Sequence, residues 1–406
     1  MNQHAYRYRY VIAAACFAIQ AIGIGYYVSY GVFFQQLNAE FGWSRTAISG
    51  ASSLALIFMG LFGILVGRLN DRIGPRIMMT ISGFTFGLGY LLMSRVHTVW
   101  QLYLFYGVCV GIGLSAVDVV PLSTTARWFV WNRGKMTGIV KVGTGAGQFV
   151  VPLIASLLIT TYGWRTSYMI MGTAVLLLLV SIGQFLRRDP GQRGLMPDDE
   201  KKTPSGKRYS FRGDLSLRQA LRTRQFWTIC FVNLTAVFCL LSIMVHIVPH
   251  AQDLGASAPI ASGVLATIGG VSMAGRFVSG LAVDRVGSKV IMMTCFILLI
   301  SGLLWLQVAK ELWMLYFFAA IYGISHGGIF TAISPIVAEY FGIASHGALF
   351  GIVVFSGTIG GSFGPFLVGY IFDITSSYHT AFWLFTATSV LGLVMMMLLK
   401  PISGRG

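Results

Sequence analysis

Three residues carry full charges deep inside apolar runs of this sequence: Asp118, Lys141 and Arg276. A charge held in hydrocarbon costs about 3 kcal/mol on insertion scales, so such residues are functional candidates by default. Arg276 offers a permanently charged, planar fork that matches a carboxylate through two hydrogen bonds. The alternative is an arginine neutralised by a structural acid. Asp118 and Lys141 admit two readings. As an ion pair they cancel, leaving Arg276 as one net positive charge, which suits a monoanion. Alternatively, Asp118 titrates in use, desolvation favouring its neutral form and a nearby cation its charged form. Counted inward from Arg127, Gly134 and Arg285, the three charges lie about 10–14 Å deep at 1.5 Å per residue, in one layer.

Histidines come next. His246 and His250 are four apart, hence on one helical face near its outer end, with Pro249 beside them. They are candidate proton acceptors, since imidazole titrates near neutral pH, or polar lining of an outer vestibule. No third metal ligand accompanies them, so a metal is not expected. His326, beside Gly327-Gly328, is a candidate substrate contact nearer mid-membrane. Tyr30, with Tyr26 and Tyr27, and Phe355 would wall a small organic acid, or would serve packing. No Gly-Lys-Ser/Thr phosphate loop follows a strand, so direct ATP use is unsupported. The expectation is a chain that needs no cofactor and is not an enzyme.

The elements that must position these residues are membrane helices. The chain has 406 residues, 55% hydrophobic and 10% charged, against about 25% charged in soluble domains. Twelve apolar segments recur, at roughly 10–36, 46–69, 76–94, 100–126, 134–161, 166–187, 225–252, 260–283, 289–308, 312–339, 346–373 and 379–399. The polar stretch 188–224 reads as a solvated linker between domains 1–187 and 225–406. Most of the 29 Lys and Arg then fall on one side, with Arg45, Arg95, Arg165 and Lys310 opposite. This places both termini in the cytoplasm. The net charge of +16 is therefore a topology signal and not a nucleic-acid footprint. The five cysteines all lie in apolar segments and read as core residues.

The halves repeat. At a fixed spacing of 213 residues, Gly67-Arg-Leu-Asn-Asp-Arg-Ile-Gly-Pro-Arg76 lies over Gly280-Leu-Ala-Val-Asp-Arg-Val-Gly-Ser-Lys289. The same spacing pairs Ser49-Gly50 with Ser262-Gly263 and Pro152 with Pro365. Two parallel six-helix domains follow, a body suited to alternating access. Under this spacing Arg276 matches Gly63 and Lys141 matches Val354, so neither charge belongs to the duplicated scaffold.

The Gly-x-x-x-Asp-Arg-x-Gly-x-Arg/Lys motif and its echo resemble the major facilitator superfamily signature. The resemblance implies a gate on the cytoplasmic side built from Gly67, Asp71, Arg72, Arg76, Asp284 and Arg285; a plain reading is a tight positive turn. Tyr30-Gly-Val-Phe-Phe, Trp128-Phe-x-x-Asn-Arg-Gly-Lys-x-x-Gly138, Tyr162-Gly-Trp-Arg and Val245-His-Ile-Val-Pro-His250 resemble the monocarboxylate transporter and oxalate/formate antiporter branch. That likeness implies that Arg276 binds the substrate carboxylate. Helix eleven is uncharged around Val354, unlike the oxalate transporters, which puts oxalate in doubt. The resulting expectation is a secondary transporter of a small organic anion, coupled to a proton or counter-anion. It would sit in a bacterial inner membrane, with a monomer sufficient. Its rivals are a drug/proton antiporter of the same fold and a non-transporting membrane sensor.

Overall fold

The computed structural model describes residues 3–193 and 215–400. They form an almost entirely helical body with twelve helices long and apolar enough to cross a bilayer. These are α1 (Gln3–Phe41), α2 (Arg45–Ile73), α3 (Pro75–Met93), α4 (Val99–Trp128), α5 (Arg133–Tyr162) and α6 (Trp164–Gly183). The second set is α7 (Arg224–Asp253), α8 (Ala258–Val286), α9 (Ser288–Val308), α10 (Leu312–Phe341), α11 (His346–Thr375) and α12 (His379–Leu398). All twelve expected spans are present. The largest departure is α1, which runs past residue 36 to Phe41 and stops at Gly42, where φ is 65°.

Local signals set the helix ends. The Ser44 hydroxyl accepts from the Ala47 amide at 3.1 Å and starts α2. The last glycine of each motif copy makes the next turn: Gly74 has φ 92° and Gly287 has φ 87°, a region that L side chains avoid. Pro75 then opens α3, where its missing N–H has no helical partner to lose. In α4 the Thr98–Gln101 capping box starts the helix, and Tyr103–Val110 widens to π-helical turns before Gly111–Trp128 resumes the α form.

The chain divides into two compact units. Unit 1 holds residues 1–131, 139–210 and 343–355; unit 2 holds 132–138, 211–342 and 356–406. In unit 1, α3 packs on α6, and α1 and α2 pack on α4. Its aromatic core stacks Tyr30 on Tyr106 and Phe33 on Tyr168, each pair 3.9 Å between centroids. In unit 2, α8 and α9 pack on α10, and α7 and α9 pack on α12. Small residues set the closest crossings: a Cβ on Gly147 would meet the Ala21 carbonyl, and one on Gly360 the Leu234 carbonyl.

Of the expected linker, 188–193 and 215–224 are described, and the Pro-Asp-Asp-Glu-Lys-Lys run at 197–202 lies outside the described residues. The described start lies on unit 1, where Arg127 Nη1 is 3.2 Å from Asp189 Oδ1. The other end forms a short helix, Leu217–Leu221, tied to α10 by the Leu215 amide on the Phe341 carbonyl at 3.1 Å.

Candidate functional site

Unit 1 joins two of the deep charges. Lys141 Nζ lies 2.6 Å from Asp118 Oδ1. Gln20, fully buried in α1, donates its Nε2 to the same oxygen at 2.7 Å and to the Val117 carbonyl at 2.9 Å. Its Oε1 accepts from the Thr144 hydroxyl at 2.7 Å. Three helices thus supply one polar cluster: α1 gives the amide, α4 the acid and α5 both Lys141 and Thr144, one turn apart on one face. Sequence reasoning missed Gln20 and Thr144. The available signal was an amide alone in the apolar run Ala-Ile-Gln-Ala-Ile.

Unit 2 holds Arg276 at 3% exposure in the middle of α8. One turn earlier, the Ser272 hydroxyl is 2.8 Å from His326 Nδ1 of α10. A Cβ on Gly327 would lie 2.7 Å from the Arg276 amide nitrogen, so α8 and α10 cross here almost backbone to backbone. Ser272, Arg276 and His326 therefore belong to one buried polar region, with the Phe330 ring 5.0 Å from the imidazole.

The remaining candidates scatter. Tyr30 lies in the aromatic core of unit 1, its hydroxyl on the Ile48 carbonyl at 2.8 Å. Phe355 is half-buried at the end of the α11 stretch grouped with unit 1. His246 Nε2 is 3.0 Å from the Pro365 carbonyl, and His250 is buried against the rings of Tyr378 and Phe382 at 5.6 and 5.0 Å.

The motif residues do identifiable work. In unit 1, Asp71 accepts from the Gly347 and Ala348 amides at 3.1 and 2.9 Å, capping the first turn of α11. Arg127 pairs with Asp71 at 2.8 Å and Asp189 at 3.2 Å, and donates to the Ala344 carbonyl at 3.2 Å. In unit 2, Asp284 accepts from the Gly134 and Lys135 amides at 2.6 and 2.8 Å, at the start of α5. Gly67 meets Gly347 backbone, as Gly280 meets Gly134. Arg76 donates to the Leu186 carbonyl at 3.1 Å; Arg72 and Arg285 are exposed. Arg127 and Asp189 had no place in the expected gate.

The family model described as Major Facilitator Superfamily matches residues 14–289 and 250–405. The chain belongs to that superfamily. It is an integral membrane member of a transporter superfamily. Among its relatives, monocarboxylate transporter 13 of Rattus norvegicus is 26% identical over 390 residues, covering 92% of this chain and 84% of that protein. Monocarboxylate transporter 11 of Homo sapiens is 27% identical over 386 residues, covering 92% and 79%. The fold is similar to that of the Major Facilitator Superfamily transporter FucP in the outward conformation, with a TM-score of 0.73 at 15% identity. That alignment covers 96% of this chain and 98% of the other.

Proposed function

We propose that this superfamily member is a secondary transporter of small organic anions, foremost a monocarboxylate of the lactate, pyruvate or formate type. Coupling is by proton symport or anion exchange, with alternating access. The carrying observation is that the deep acid is matched by a cation within unit 1, Asp118 by Lys141 at 2.6 Å, while unit 2 buries Arg276 as a further cation. That suits a singly charged substrate and disfavours the cationic substrates of a drug/proton antiporter. Arg276 is the anchor, because its fork holds a carboxylate through two hydrogen bonds. His326, held by Ser272, supplies a second polar contact. The printed names of two relatives, both monocarboxylate transporters, support the same class.

Under proton symport Asp118 is the first candidate for the coupling proton; under anion exchange it stays the ionised partner of Lys141. His246 and His250 are the next candidates for coupling. Asp71, Arg76 and Asp284, with Arg127 added, form the cytoplasmic gate, both termini lying on that side of a bacterial inner membrane.

The test is uptake of labelled L-lactate by the purified full chain in proteoliposomes, with and without an inward proton gradient. Gradient-driven accumulation supports proton symport, and uptake only against a preloaded anion supports exchange. Arg276→Lys is expected to weaken uptake tenfold or more, about the worth of one charge-assisted hydrogen bond. Normal affinity in that variant would remove Arg276 as the anchor.

A further inference from the structure

We propose that unit 1 carries a seat for the phosphate of an anionic phospholipid, formed by Arg76 and Arg187 at the ends of α3 and α6. The inference goes beyond the transport reading and stands or falls without it.

Two guanidinium groups meet on one oxygen. The Leu186 carbonyl accepts from Arg76 Nε at 3.1 Å and from Arg187 Nη1 at 2.9 Å. Arg187 Nη1 also donates to the Gln184 carbonyl at 2.8 Å. The carbonyls at a helix C-terminus amount to only about half a negative charge, so they cannot balance two cations. The acids at this end are already engaged. Arg127 holds Asp71 at 2.8 Å and Asp189 at 3.2 Å, and Arg188 holds Asp189 at 3.1 Å. Among the described residues neither Arg76 nor Arg187 forms an ion pair. Arg72, Arg76, Arg127, Arg187 and Arg188 against Asp71 and Asp189 is five cations to two acids, an excess of three. Backbone bonds thus hold two forks together, and Arg76, bound through Nε, keeps its Nη groups for a ligand.

The second half lacks this convergence. The counterparts of Arg76, Gln184, Leu186 and Arg187 are Lys289, Met397, Leu399 and Lys400. Lys289 bonds both carbonyls, at 3.0 and 2.6 Å, while Lys400 is exposed and bonds neither. One cation is enough to close the helix end there. The second fork in unit 1 is therefore an addition to the duplicated scaffold, and like charges drawn together need an anion.

Place and surroundings select the ligand. Spans end at Ile73 and Gly183 and begin at Pro75, so the arginines stand at headgroup level. Basic residues there attract anionic lipid. Ile73, Ile77 and Phe185, their neighbours in the chain, are 48%, 50% and 54% exposed. Acyl chains would cover that apolar surface and a free phosphate would not. Two forks also suit a phosphodiester, whose charge is shared between two oxygens.

The experiment measures phosphatidylglycerol and phosphatidylcholine binding to the purified full chain in detergent, by native mass spectrometry. Phosphatidylglycerol is expected to bind more tightly, and Arg187→Gln to weaken it about fivefold, the worth of one basic residue at an anionic surface. Arg187→Lys keeps the charge without the fork; it should weaken binding less, and it serves if Arg187→Gln does not fold. Lys400→Gln, at the matching place in unit 2, should leave the affinity unchanged. No loss in the folded Arg187 variants, or an equal loss in Lys400→Gln, overturns the seat, because diffuse attraction then accounts for the binding. Inorganic phosphate that stabilises the chain against heat as well as the lipid does would make the ligand a soluble anion. An Arg187 dependence seen only after Asp198, Asp199 and Glu200 are changed to amides would make those linker acids the occupant, against the lipid.

Discussion

The two halves of the chain are copies in their scaffold and differ in their buried charges. Asp71 caps residues 347 and 348, and Asp284 caps 134 and 135; acids and amides alike are 213 residues apart. Arg76 reaches the Leu186 carbonyl and Lys289 the Leu399 carbonyl, again at that spacing. The crossing of Gly147 with Ala21 returns as Gly360 with Leu234. Against this background the differences stand out. Asp118 and Lys141 face Thr331 and Val354 in the repeat, Arg276 faces Gly63, and Arg127 faces Tyr340. A contact kept in both halves builds the fold, and a buried charge present in one half needs another reason.

The largest test of that contrast is the ion pair. Lys141→Met leaves an uncompensated acid, and breaking a buried pair from one side costs about 3–5 kcal/mol. Thermal unfolding of the purified protein should show it, and Lys141→Met with Asp118→Leu should recover most of the loss. A single-variant cost below about 1 kcal/mol would class the pair with solvated surface pairs and break the contrast. Next comes the gate. Asp71→Asn and Asp284→Asn each weaken two amide contacts, but the first also takes from buried Arg127 the nearer of its two acids, leaving Asp189 at 3.2 Å. Asp71→Asn should therefore cost about 1–3 kcal/mol more than Asp284→Asn. Equal losses would show that the amide caps alone matter. Gly74→Ala and Gly287→Ala should cost about 1–3 kcal/mol each, since φ near 90° with ψ of 167° and 154° is a region essentially reserved for Gly; unequal losses would separate the two turns.

The sequence carried most of the fold and part of the site. Span number, repeat and turn glycines were legible because hydrocarbon thickness and backbone satisfaction leave few alternatives. Asp118, Lys141 and Arg276 were legible because charge in an apolar run is costly. Gln20 was not, since an amide costs less than a charge and its use depends on which helix it meets. Arg127 and Asp189 were hidden for the opposite reason: at a helix end among many basic residues, one cation looks like another. Tyr30 shows the converse limit, for residue type suggested a substrate wall and stacking put the ring in the core of unit 1.

The smallest effect separates two basic residues that the repeat makes equivalent. Arg76 gives one hydrogen bond to a carbonyl past the end of α6, and Lys289 gives two at the end of α12, to Met397 in its last turn at 3.0 Å and to Leu399 just past it at 2.6 Å. A cation at a helix C-terminus is worth about 0.3–1 kcal/mol, so Lys289→Met should lower thermal stability slightly more than Arg76→Met. A lone carbonyl asks for a positive donor and not for a planar fork. Arg76→Lys and Lys289→Arg should then each stay within about 0.5 kcal/mol of wild type. Arg276→Lys makes the same chemical change where a fork is required, and its loss should appear in uptake. If Arg76→Lys reduced uptake as much as Arg276→Lys does, the fork at Arg276 would not be what recognises the substrate.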